Sequence, residues 1–142
     1  MDAVNTATLE TPTIAISMLR AICAANELLI AFAARVRQSP GVREVTTSVD
    51  SRDLVSGPYI ALYTDVELEC GDALTYWCEL RPARDELVVE GRLSLTDSDG
   101  ERTIRVIPDV RVDPERFESQ LVAVIRDLTN GNDGSQLCAH HA

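Results

Sequence analysis

The chain reads as a two-layer α+β domain: a long N-terminal helix, a five-stranded antiparallel meander and a C-terminal helix, both helices on one sheet face. Three observations predict it. Apolar residues recur at three- and four-residue steps from Ile14 to Val36, and again from Phe117 to Leu128. Between them, apolar and polar residues alternate in segments separated by Gly, Pro and Asp. That alternation gives the sheet one apolar face, which both helices must share.

The first helix is predicted over 12–38. Thr11 is its cap and Pro12 takes the first helical position, where the missing N–H costs nothing. Ile14, Met18, Ile22, Ala25, Leu29, Phe32 and Val36 line one face, and Ser39-Pro40-Gly41 stops the run. A second apolar stripe, Ile16, Leu19, Cys23 and Ile30, points roughly 100° or more away from the first. One sheet face cannot cover both. The C-terminal helix spans some 24 Å against about 40 Å for the first, so it leaves apolar surface over. The reading is a homodimer through Ile16, Leu19, Cys23 and Ile30. A membrane span is not expected, because about 20 apolar residues are needed and Arg20, Asn26 and Glu27 interrupt the segment.

Residues 1–10 read as a flexible N-terminus, 11–131 as one domain and 132–142 as a disordered tail. A first strand is predicted over 42–49, rich in Val and Thr, with a loop over 50–57. From Tyr59 onward Ile60, Leu62, Thr64, Val66, Leu68 and Cys70 share one face, and Tyr63, Asp65, Glu67 and Glu69 the other. Beyond Gly71-Asp72, Leu74, Tyr76, Cys78 and Leu80 alternate with Thr75, Trp77, Glu79 and Arg81. Residues directly opposite share a face, so the connecting loop must be odd in length. Three residues are expected, setting Trp77 opposite Asp65 or Glu67.

A turn over 82–85 leads to Leu87, Val89, Leu93 and Leu95, alternating with Val88, Glu90, Arg92 and Ser94. Asp99-Gly100 is a two-residue hairpin signal. Closing there sets Leu95 opposite Ile104, Leu93 opposite Val106, Val89 opposite Val110 and Asp97 against Arg102. Gly91 opposite Pro108 marks a bend or bulge, since Pro cannot donate to a ladder. Asp113-Pro114-Glu115 starts the last helix, whose stripe is Phe117, Leu121, Val124 and Leu128, and Asn130-Gly131 ends it.

Composition narrows the function. Thirteen basic against twenty-three acidic side chains give a net charge of −10, which argues against nucleic acid and anionic membranes and permits a cationic partner. No basic segment precedes the first apolar run, so a cytoplasmic location is the default expectation. The four cysteines include no C-x-x-C pair, and both histidines fall at 140 and 141. They read as free thiols, with Cys138-Ala-His140-His141 as tail composition and no metal or other cofactor expected.

Catalysis by a histidine-activated nucleophile finds no histidine in the domain, and no phosphate-binding loop or nucleophile elbow is present. Aligning Gly100 with the glycine of a calcium loop places Leu95 and Val106 where oxygen ligands belong, so that reading fails. An enzyme is therefore disfavoured.

One constellation remains. Asp65, Glu67 and Glu69 lie on one strand face, about 6.5–7 Å apart in succession. Tyr63 lies beside them, and Trp77 and Glu79 project from the neighbouring strand. A Trp among carboxylates suits a Lys, an Arg or another cation; the plain alternative is a solvated face. The expectation is a non-enzymatic acidic binding protein that holds or neutralises a basic protein. One alternative is a small-molecule, possibly cationic-ligand, binder with a pocket lined by Tyr76, Cys78, Leu80, Phe32 and Phe117. Another is an enzyme on a cystatin-like helix-plus-sheet scaffold. In size and charge the chain resembles type III secretion chaperones and toxin-neutralising immunity proteins. It differs from the chaperones in having no helix among its strands.

Overall fold

A computed structural model describes residues 2–54, 57–83, 86–112 and 114–130, with side chains over 16–51, 59–81, 87–112 and 115–130. Helix α1 (Asp2–Val36) precedes strands β1 (Val42–Leu54), β2 (Gly57–Leu68), β3 (Ala73–Ala83), β4 (Glu86–Asp97) and β5 (Gly100–Val112). A single 3₁₀ turn (Pro114–Arg116) and helix α2 (Phe117–Thr129) follow. The sheet order is β1-β2-β3-β4-β5, with every neighbouring pair antiparallel. The predicted meander flanked by two helices is therefore the fold. The tail from 132 onward lies outside the described residues.

Helix α1 starts ten residues earlier than the predicted Pro12 and takes in residues 2–10. Interior proline costs about 3 kcal/mol relative to Ala, which is why Pro12 reads as a start. Here it sits inside the helix. By length and composition Ile16–Val36, of mean hydropathy 1.6, is apolar enough to cross a membrane. Ala21, Ala25, Leu29, Phe32, Ala33 and Val36 are buried in the domain core, however. The second stripe is open: Ile16 is 51%, Leu19 61% and Ile30 52% exposed, and Cys23 is exposed.

The predicted loop over 50–57 is mostly strand. β1 continues through Ser51↔Ile60 to Leu54↔Gly57. Its Asp, Ser and Arg residues read as loop, but they lie on an edge strand, where polar side chains are tolerated and the ladder supplies the hydrogen bonds. The β2–β3 loop has the predicted odd length. Leu68 N donates to Asp72 O at 2.8 Å and Gly71 N to Leu68 O at 3.0 Å, closing Glu69-Cys70-Gly71. Gly71 takes φ +95° there, a conformation glycine adopts at little cost. This loop sits earlier than Gly71-Asp72, so Trp77 faces Tyr63 rather than Asp65 or Glu67. The turn predicted over 82–85 narrows, because β3 runs on to Ala83, opposite Glu86.

The β4–β5 hairpin departs most from expectation. Its turn is Ser98-Asp99, since Asp97 pairs with Gly100. The Asp97 carboxylate accepts from Asp99 N at 2.9 Å, a local bond that anchors the turn one residue early. Leu95 therefore faces Arg102, and Leu93 faces Arg105, instead of Ile104 and Val106. Irregularities between Leu93/Ser94 and Val89/Gly91 then restore the predicted Val89↔Val110. The second falls where Gly91 and Pro108 predicted it. Ile104 and Val106 are left 41% and 59% exposed.

Helix α2 begins at Phe117, after the 3₁₀ turn, and Arg116 at its cap makes no side-chain capping bond. Phe117, Leu121, Val124, Ile125 and Leu128 are buried. They join α1, Leu62, Val66, Tyr76, Cys78, Leu80 and Leu93 in one cluster, each large apolar side chain stabilising the fold by about 1.5–3 kcal/mol. Phe32 and Tyr76 meet edge to face at 4.7 Å. At Gly91 an added Cβ would lie 3.0 Å from Val124 Cγ1, so the missing side chain lets α2 approach the sheet. Ala61 and Val88 are buried outside this cluster, on the other face, opposite Glu79 and Arg81.

Candidate functional site

The outer face of the sheet carries the predicted site, and strand alternation puts it there. Tyr63 and Asp65 share that face on β2, and Thr75, Trp77, Glu79 and Arg81 on β3. Register aligns Tyr63, Trp77 and Arg92 in one row across β2, β3 and β4. The Tyr63 and Trp77 rings stack at 5.3 Å and 23°. The Arg92 guanidinium lies 5.1 Å from the Trp77 ring centre, within cation–π range. The cation expected beside Trp77 is thus supplied by the chain itself.

The carboxylates near Trp77 are engaged as well. Arg81 reaches Glu79 and Glu90 at 3.0 Å and Asp109 at 2.9 Å. Its planar fork suits several carboxylates at once, and all thirteen basic residues of the chain are arginine. The hydrogen bond that Arg81 donates to Glu90 first, then the one to Glu79 and the charge of Asp109, raise the Arg81 pKa against the opposing effect of burial. Trp77 Nε1 donates to Glu79 at 3.4 Å.

The other end of the face differs. Glu67 pairs with Arg43, and Asp65 accepts from Thr75 Oγ1 at 2.7 Å. Glu69 is exposed in the β2–β3 loop, where its backbone N–H donates to Gly41 O at 2.8 Å. Register adds Glu44, exposed on β1 opposite Glu67. Among the described residues, no ion pair involves Glu44, Asp65 or Glu69.

The structure thus splits the predicted six. Tyr63, Trp77 and Glu79 belong to an aromatic–arginine network, whereas Asp65, Glu67 and Glu69 form an acidic corner with Glu44. Glu44 and Arg92 escaped the sequence reading. Glu44 shares parity with Thr46 and Ser48, but its place needs the β1–β2 register. Arg92 follows from Trp77 once the β3–β4 register is set by Ala83↔Glu86.

The residues of the alternative pocket, Phe32, Tyr76, Cys78, Leu80 and Phe117, are each at most 3% exposed. Burial first, and then the charge of Glu79, push the Cys78 thiol up to about 12, so it stays a protonated packing group. No group of three or more His, Cys, Asp or Glu suited to a metal occurs among the described residues. The sequence matches no family model, no curated protein and no solved structure.

Proposed function

We propose that this chain is a non-enzymatic binding protein that holds a basic protein segment against the acidic corner of its outer sheet face. The observation carrying this reading is the pairing pattern of that face. Glu79 and Glu90 are taken up by Arg81, whereas Glu44, Asp65 and Glu69 make no ion pair among the described residues. Unneutralised carboxylates on an uncovered sheet face attract cations and steer their approach. The stacked Tyr63–Trp77 step beside them offers apolar area to the stem of an incoming Arg or Lys.

Affinity capture from the source cells, with identification of the retained proteins, tests the reading. The chain is compared with a Glu44→Gln/Asp65→Asn/Glu69→Gln variant. A basic protein retained by the first, lost by the second and released as salt rises supports it. Equal retention by both removes the corner as the binding surface.

A further inference from the structure

The second stripe of α1 carries an order that exposure alone does not explain. Ile16 and Ile30 stand seven residues before and seven after Cys23, and all three side chains are exposed. Arg20 stands three before Cys23 and Glu27 four after, both exposed. Positions 20 and 27 are two helical turns apart and share one flank of the stripe. They are about 10 Å apart along the axis, too far to pair within one helix. Among the described residues neither makes an ion pair. A shallow groove of about 370 Å³ runs along this surface, lined by Ile16, Leu19, Arg20, Cys23, Glu27 and, from α2, Glu118.

We infer that this surface is the seat of a second copy of the same chain, with the two α1 helices antiparallel about a two-fold axis at Cys23. Such an axis sets Ile16 level with Ile30 of the other copy, twice, and Cys23 level with Cys23. Arg20 then comes within one residue, about 1.5 Å of axial rise, of being level with Glu27. A two-fold perpendicular to the helices keeps each flank on its own side, so both Arg20–Glu27 pairs form on one side of the seam. A parallel pair sends equal flanks to opposite sides and forms neither. Ala31 and Ala34 beside the stripe allow the helices to approach at the short end of the usual 8–10 Å. Leu19, the most exposed large side chain of the stripe, gains cover. This surface is separate from the acidic corner, and its test reads independently of any partner bound there.

Sedimentation equilibrium on the full chain over micromolar concentrations is the experiment. The expected mass is twice 15.5 kDa. Leu19→Glu should return the monomer, and because Leu19 is exposed the variant keeps its fold, checked by circular dichroism. Arg20→Glu and Glu27→Arg should each raise the dimer dissociation constant on the order of tenfold, since each converts two attractions into two repulsions. The double variant Arg20→Glu/Glu27→Arg should bring it back. In a Cys70→Ser/Cys138→Ser background, mild oxidation should link two chains through Cys23. A monomeric wild type, or a dimer untouched by Leu19→Glu, overturns the proposal. A dimer split by Leu19→Glu whose double swap fails to restore pairing overturns the antiparallel arrangement.

Discussion

Arg105 on β5 grips the last turn of α2 through Asp127. One guanidinium nitrogen donates to the Asp127 backbone carbonyl at 2.7 Å and the other to its carboxylate. The contact exists because the β4–β5 register puts Arg105, not Val106, opposite Leu93 and so on the helix side of the sheet. It satisfies a carbonyl left without a helical partner and places a positive charge at the negative end of the helix. Both side chains are more than a third exposed, so the expected cost of Arg105→Ala is modest, about 0.5–1.5 kcal/mol. Urea denaturation measures it. Arg105→Lys should recover only part, since one ammonium cannot reproduce the fork. Full recovery would show that charge alone matters.

Gly91→Ala should destabilise the domain by about 1–3 kcal/mol through overpacking. The new methyl would meet Val124 Cγ1 at 3.0 Å and Ile107 Cδ1 at 3.2 Å. Adding Val124→Ala should cost less in that background than in the wild type, because the same space is at issue. Strictly additive losses would point to backbone strain instead.

Gly100 tests a different term. Its φ is +112° and nothing lies within 4 Å of an added Cβ, so any loss on Gly100→Val is conformational. About 1–3 kcal/mol is expected. A denaturation midpoint equal to wild type would contradict this turn conformation.

Cys78 governs part of the alkaline limit. Its folded pKa, about 12, lies above the ordinary thiol value of 9.0. The stability linked to that proton is fully present below pH 9 and is lost as pH rises toward 12, because the unfolded chain releases the proton first. Lysine is absent from the chain, so no side-chain ammonium titrates there. Cys78→Ala should flatten the fall in midpoint between pH 9 and 11 relative to wild type. Parallel curves would mean that Cys78 is not the source. In the folded chain a maleimide should modify Cys70, which is exposed, well before Cys78.

Element types were legible wherever periodicity was strong, and registers wherever parity constrained them. The odd β2–β3 loop follows from Leu68 and Leu74 sharing a face, but its position does not. That depended on Gly71 taking positive φ as the last loop residue rather than the first of a pair. The β4–β5 register failed for a local reason. Matching every apolar residue with another favoured Asp99-Gly100, whereas the Asp97 side-chain bond fixes Ser98-Asp99 and leaves Ile104 and Val106 exposed. Of the site, the strand parity of Tyr63, Asp65, Glu67, Trp77 and Glu79 was readable. Which charges neutralise each other was not, since Arg81 reaches Asp109 across twenty-eight positions. The open stripe at Ile16, Leu19, Cys23 and Ile30 was readable because helical phase alone separates it from the buried face.

A sheet whose strands lie in chain order has a kinetic consequence. Every ladder joins neighbours in sequence, through connections as short as Ser98-Asp99, so little loop entropy is lost before contacts form. The contact between α1 and α2 is the exception, since it brings the two ends of the domain together across all five strands. Zipping of hairpins should therefore precede helix docking. In stopped-flow refolding, Leu74→Ala should slow folding, whereas Leu121→Ala on α2 should chiefly accelerate unfolding. The reverse partition would place docking of the chain ends in the nucleus.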